Sequence, residues 1–432
     1  MKRLSLLAAL LFALPLFTGC LGAVSVDDYK YVASIGVDRG ETRPYSISFL
    51  VQSEANDSTS QSAAGESILL GAEGDDIFDA ITTVHVGVPY RLNFERVNTI
   101  VFSQEMAEAG VLERLTRVEL NSLNIRQSVK LLVALCPART FLQGMAGAGM
   151  QNITKLQYSL FSNYTEEGVS PITNFSLVHE AAGGGRMDPA LTLGGLDVTA
   201  VEAAKKDASK MSSESAQKSG EGGGTPEGQD KKEGAAAQTD QQKPNEEAMY
   251  TTEGVPRLGG MAVYAAGSAL FDGWKMVGVL DSYDTRFLLM GMGVFENGWV
   301  RVPYEGSNIM LYLSNTGAYD KTVQMSDAPH IDLSLAYTCE VLQDARRLSR
   351  AGLESGIRQA AEAFVEQELS RVFSLCQSLN SDAMGMGRLV SRGFSTVAEW
   401  EAYEWKRKYP SLTVSFNVRL VPLNENVTNG LE

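Results

Sequence analysis

The sequence predicts an α+β protein in which helices pack on mixed sheets, divided into three domains. Three observations carry this reading. Strand and helix patterns alternate over residues 31–145, as in an α/β domain. A low-complexity stretch at 197–250 separates that region, and a connecting segment at 146–196, from a β-rich middle domain at 251–325. Residues 326–425 then read as strand, long helix, short helix, strand, a terminal α+β domain. At 432 residues the chain is too long for one ordinary core, and a hydrophobic fraction of 44% is that of a folded protein.

The chain opens on Met1-Lys2-Arg3, followed by an apolar run from Leu4 to Phe17 broken only by Ser5 and Pro15. That run is too short to span a hydrocarbon core of about 30 Å. Residues 1–19 therefore read as an export signal, with small Thr18 and Gly19 before the cut. Leu16-Phe17-Thr18-Gly19-Cys20 looks like a bacterial lipobox, whose cysteine receives a diacylglyceryl group and becomes the first mature residue. Lipid attachment at Cys20 is the one site residue this sequence predicts. Two acyl chains, at about 0.8 kcal/mol per buried CH₂, would hold a domain firmly at a membrane. Residues 20–30 serve as a tether.

Tyr31–Asp38 and Tyr45–Gln52 predict a hairpin around Arg39-Gly-Glu-Thr42, and Glu54–Glu66 an exposed loop. Asp75–Val84 predicts a helix with Ile77, Ala80, Ile81 and Val84 on one stripe and Asp75-Asp76 at its positive end. Val97–Phe102 is a β-branched strand, and Ser103 is placed to cap a helix carrying Met106, Ala109, Leu112 and Leu115. Val129–Leu135 is another strand, and Pro137 opens the helix after it. Residues 197–250 hold almost nothing large and apolar, so they cannot offset the entropy cost of ordering and read as a disordered insertion. Gly259–Tyr264, Lys275–Leu280, Val294–Val302, Ile309–Asn315 and Ile331–Glu340 predict strands, with Asp281 capping a helix between the second and third. A long helix over 352–379 puts Leu353, Ile357, Ala360, Phe364, Val372 and Phe373 on an apolar face, with Glu354, Arg358, Glu362, Glu366 and Arg371 toward water. A helix at 396–408 ends at Pro410, and Leu412 to Leu420 alternates as the closing strand.

The sequence offers no catalytic, cofactor or metal motif. His85, His179 and His330 stand alone, and no P-loop, Gly-x-Ser-x-Gly, His-Glu-x-x-His or dinucleotide fingerprint occurs. Gly144–Gly149 lacks phosphate-loop spacing and reads as a flexible loop. Asp281, Asp284 and Arg286 are explained by helix capping and a local ion pair. A spacing of five does not put Trp400 and Trp405 on one helical face, so at least one belongs in the core rather than in a sugar platform. A net charge of −15 argues against nucleic-acid partners. Cys136, Cys339 and Cys376 sit in apolar runs and fit buried thiols, with a Cys339–Cys376 disulfide as the alternative. Asn152, Asn163 and Asn174 begin glycosylation triplets that have meaning only in a eukaryotic secretory context.

Four segments together resemble the Ger(x)C family, the lipoprotein C subunits of nutrient germinant receptors in endospore-forming bacteria. They are the lipobox with Val32-Ala-Ser-Ile-Gly-Val-Asp38, and Asn98–Val111 with Ile125–Ala134. The others are Gly260–Tyr264 with Met276–Arg286, and a terminal region bearing Gly385-Met-Gly387, Trp405, Tyr409-Pro410 and the strand Val414–Leu420. The chain departs from the family where Leu21-Gly22 replaces a tryptophan-aspartate pair, at Asp284, and in the length of its insertion. The resemblance implies a three-domain, non-catalytic lipoprotein without cofactors, on the outer face of the spore's inner membrane. Its implied partners are a membrane-embedded A-type subunit, a B-type nutrient-sensing subunit, and membrane lipid through the diacylglyceryl cysteine. The alternative is a lipid-anchored extracytoplasmic solute-binding protein, and a weaker one is an envelope enzyme.

Overall fold

A computed structural model describes residues 28–52, 67–147, 153–171, 173–197, 262–326, 328–341 and 356–422. The leader, Cys20, the 54–66 loop and the insertion beyond Asp197 lie outside the described residues. The fold is α+β and is built on two mixed sheets.

The first sheet gathers β1 (Tyr29–Arg39), β2 (Tyr45–Gln52), β3 (Ser67–Gly74), β4 (Arg91–Asn93), β5 (Thr99–Ser103), β6 (Lys130–Ala134), β7 (Ala190–Leu196), β8 (Val263–Asp272) and β9 (Lys275–Leu280). Their order is β3-β2-β1-β5-β6-β7-β8-β9, with β4 beside the start of β1. The central strands β1, β5, β6 and β7 run parallel, and antiparallel strands flank them. Helices α1 (Ile77–Gly87), α2 (Gln104–Glu108), α3 (Ala138–Ala146), α4 (Ile153–Glu166) and α5 (Phe175–Gly184) belong to this half. Both faces of the sheet are covered. Ile100, Phe102, Leu131 and Val133 enter one core, whereas Val101 and Leu132 join Phe141, Leu142, Leu156 and Leu160 in the other. Burial on two sides explains why β5 and β6 are continuous apolar runs rather than alternating ones. Asp38, at the end of β1, sets the helix that covers one face. Its carboxyl oxygens accept from the N–H groups of Ala138 at 2.7 Å and Arg139 at 2.8 Å, capping α3.

The second sheet has the order β10 (Asn297–Tyr304), β11 (Ser307–Gln324), β12 (His330–Val341), β13 (Thr413–Pro422), with β13 parallel to β12. Helix α6 (Ser282–Met292) leads into it from β9, and α7 (Arg358–Ser378), α8 (Met386–Val390), α9 (Val397–Ala402) and α10 (Trp405–Lys408) complete this half. Its core runs from Phe287 through Val300, Leu311 and Leu333 to Val365, Leu369 and Tyr409.

The boundaries drawn from sequence differ from this arrangement. Residues 146–196 do more than connect, because α4, α5 and β7 are integral to the first sheet and its cores. Residues 251–325 divide between the two sheets: β8 pairs with β7 from Leu196↔Val263 to Ala190↔Leu270, while β10 and β11 build the second. Local periodicity identifies a strand but not the sheet it joins.

Several local expectations change as well. Ser103 does not cap α2; its hydroxyl donates to the Val37 carbonyl at 3.4 Å, and the helix ends at Glu108, just before Gly110 turns the chain at φ 77°. Gly144 lies within α3 rather than in a loop, and a Cβ there would meet Val263 at 2.7 Å and Leu196 at 2.9 Å. On α7 Val372 and Phe373 are buried as expected, but Ala361, Val365, Leu369 and Cys376 join them while Ala360 and Phe364 are only half-buried. Glu366 and Glu362 turn from water to accept the Val418 and Leu420 N–H groups at 2.8 and 2.9 Å. These carboxylates satisfy donors on the open edge of β13, which would otherwise be free to pair with another chain.

Candidate functional site at the junction of the two sheets

Cys20, the predicted lipid site, lies outside the described residues. The feature that the structure builds from the terminal motif is a buried polar junction joining the halves. Asp382, between α7 and α8, is fully enclosed at 1% exposure. One of its carboxyl oxygens accepts from Met386 N at 2.7 Å. The other accepts from Gly387 N at 2.7 Å and from Trp405 Nε1 at 2.9 Å. The Asp382 backbone N–H donates to Asp188 Oδ2 at 2.6 Å, and Asp188 N returns a bond to the Asp382 carbonyl at 3.1 Å. Asp188 precedes β7, so this exchange ties the second half to the first. Asp188 also accepts from Gly273 N at 2.8 Å in the β8–β9 turn.

Lys406 on α10 closes the junction. Its ammonium contacts Asp188 at 2.5 Å and Asp272 at 2.7 Å and donates to the Asn380 carbonyl at 2.7 Å. Burial pulls the lysine pKa down, but the two carboxylates outweigh it and hold the value above that of an ordinary lysine. Ser381 donates to the Phe271 carbonyl at 2.6 Å, and Tyr409 donates to the Ser381 carbonyl at 2.9 Å. The polar groups at this junction are turned toward one another, an arrangement suited to clamping two sheets rather than to presenting a reactive group.

Burial is the strongest influence on the Asp382 carboxyl and pushes its pKa up to about 7, helped by the nearby Asp188 charge and opposed by the Gly387, Trp405 and Met386 donors. The folded state thus keeps a proton that the unfolded chain releases near 3.8. This contribution is complete below that value and is lost as pH rises through about 7. The urea midpoint, followed by tryptophan fluorescence, should therefore fall across that window, and the Asp382→Asn variant should lack this component of the slope.

Asp281 caps α6 by accepting from Asp284 N at 2.7 Å, as expected. Asp284 pairs with Arg371 on α7, a longer-range contact than the local one anticipated. Trp400 and Trp405 are both buried, with ring centroids 6.0 Å apart, and offer no sugar platform. They occupy two short helices because Glu404 breaks the chain at φ 52°. His85 accepts from Leu92 N at 3.0 Å, His179 packs between Phe175 and Trp274, and His330 contacts Thr413 and Asp332. The three described cysteines are unpaired; burial pushes Cys136 and Cys376 up to about 12 and Cys339 up to about 11. Asn174 caps α5 by accepting from Leu177 N at 2.9 Å. Among the described residues, no group of three or more histidine, cysteine, aspartate or glutamate side chains could hold a metal ion. Among those residues, too, no helix is long and apolar enough to cross a membrane.

Sequence reasoning singled out Gly385–Gly387, Trp405 and Tyr409 but missed Asp188, Asp272, Asp382 and Lys406. The available signal was Ser381-Asp382 set between apolar segments just before the Gly-Met-Gly run. Asp188 carried none, because its partner Asp382 is 194 residues away.

Residues 22–196 match the model of the spore germination protein N-terminal domain. Residues 266–421 match that of the spore germination B3/GerAC-like C-terminal domain. No curated protein matches the chain significantly. Among solved structures the chain is similar to the GerBC protein, at 11% identity and a TM-score of 0.49 over 90% of this chain and 97% of that one. With both domain models matched in order, on either side of the insertion, the chain belongs to the Ger(x)C family of spore germination proteins.

Proposed function

We propose that this protein is the lipid-anchored C subunit of a germinant receptor, a non-catalytic component of nutrient-triggered spore germination. The observation that carries the reading is the ordered match of both family domains across the chain. On this reading Cys20 provides location and the clamped sheets provide surfaces for membrane-embedded A-type and B-type subunits. Tyr29, at the start of β1, stands nine positions after Cys20. A fully extended tether of that length reaches about 30 Å, at roughly 3.3–3.6 Å per residue. The folded halves would therefore work close to the outer face of the spore's inner membrane.

A Cys20→Ala variant in a spore-forming host tests this. The protein should leave the spore membrane fraction or be lost, and nutrient germination through its receptor should fall sharply. Normal membrane retention together with normal germination would sink the anchor model. Co-purification of the wild-type protein with the A-type and B-type subunits from detergent-solubilised spore membranes tests the assembly itself.

A further inference from the structure

The first half contains a cavity that the junction does not explain. It lies beneath α4, at the end of the parallel strands where β5 and β6 begin, and holds about 330 Å³. That volume falls within the range of about 300–1,000 Å³ occupied by small-molecule sites. Its wall includes Thr99 and Lys130 from the strands, Gln157, Tyr158 and Phe161 from α4, and Thr173 from the segment before α5.

Three of these groups are poorly satisfied by the protein. Thr99 and Gln157 are 1% and 2% exposed, and among the described residues neither Thr99 Oγ1 nor Gln157 Oε1 has a hydrogen-bond partner. The amide of Gln157 is oriented by its other end: Nε2 donates to the Ala33 carbonyl at 3.1 Å and to Ser34 Oγ. Oε1 is thereby fixed as an acceptor that lacks a donor. Leaving such a group unpaired costs about 1–3 kcal/mol. Lys130 supplies a half-buried cation that forms no ion pair among the described residues, in a chain whose net charge is −15. Desolvation lowers its pKa, consistent with a cation missing its counter-ion. Phe161 and Pro171 add apolar lining.

We propose that this cavity binds a small organic carboxylate that also carries an amino or hydroxyl donor. The carboxylate would pair with Lys130, the donor would satisfy Gln157 Oε1, and Thr99 would supply a further hydrogen bond. The rest of the molecule would lie against Phe161 and Pro171. The proposal concerns the chain by itself and does not depend on which complex it joins.

The test uses full-length protein in detergent, screened by thermal unfolding against the common L-amino acids and against lactate and malate at millimolar concentration, with hits measured by calorimetry. At least one compound should raise the unfolding temperature and bind saturably, while its decarboxylated or amidated analogue should not. Lys130→Met should weaken that binding by about tenfold or more. Thr99→Val provides an independent arm. It removes an unpartnered hydroxyl, so the ligand-free protein should be at least as stable as wild type and yet bind more weakly. The proposal is overturned if no compound shifts the transition. It is equally overturned if binding is unchanged in a folded Lys130→Met protein, or unchanged in Thr99→Val.

Discussion

Asp382→Ala is expected to lower the stability of the protein by roughly 3–5 kcal/mol, because several buried donors lose their shared acceptor at once. Three donors would lose their acceptor together: Met386 N, Gly387 N and Trp405 Nε1. Each is enclosed, and each unsatisfied buried donor costs about 1–3 kcal/mol. Water cannot readily replace the carboxyl, because Met386 and Gly387 are buried and Trp405 is 3% exposed. Urea unfolding followed by tryptophan fluorescence measures the loss, since Trp405 reports on this site directly. Asp382→Asn should fall between wild type and alanine, because the amide oxygen can accept at one position while its NH₂ faces a donor at the other. An alanine variant within about 1 kcal/mol of wild type would show that the junction is not the principal clamp.

The elements of the fold were largely legible in the sequence, and their assembly was less so. β1, β2, β5, β6 and β13 were readable because each is an apolar or alternating run bounded by turn residues, and the cap at Asp281 because capping is local. The placement of β8 and β9 was not readable, since nothing within 263–280 states that these strands pair with β7 across a long insertion. Glu362 and Glu366 misled for a related reason. On a helix wheel they belong to the polar face, yet the neighbouring edge strand offers N–H groups that only the tertiary fold brings near. The proposed anchor at Cys20 rests on one short motif, whereas the junction and the cavity are assembled from residues too far apart in sequence for any spacing rule to find.

Gly387→Ala should be among the most damaging single-methyl changes in the chain, costing about 3 kcal/mol or more, and the reason differs from that at Gly385 two residues earlier. Gly385 has φ 74°, so alanine there would suffer the backbone strain of the left-handed region, roughly 1–2 kcal/mol. Space is not the problem at that position, since the nearest atoms, all from Met187, lie 3.6 Å or farther from where the alanine Cβ would sit. Gly387 has no unusual φ but is hemmed in on two sides. A Cβ would lie 2.3 Å from Trp405 Nε1 and 2.6 Å from the Arg186 carbonyl oxygen. The indole cannot retreat without giving up its 2.9 Å bond to Asp382, and the carbonyl belongs to the backbone leading to Asp188. Overpacking at about 1–3 kcal/mol therefore adds to the loss of a buried hydrogen bond at about 1–3 kcal/mol. A double-mutant cycle with Trp405→Phe isolates the mechanism. The smaller ring relieves the clash and has no N–H to lose, so the two substitutions should cost at least about 1 kcal/mol less together than the sum of their separate effects. Strict additivity, or a Gly385→Ala variant more damaging than Gly387→Ala, would place the constraint in the backbone and not in the contact between indole, glycine and carboxyl.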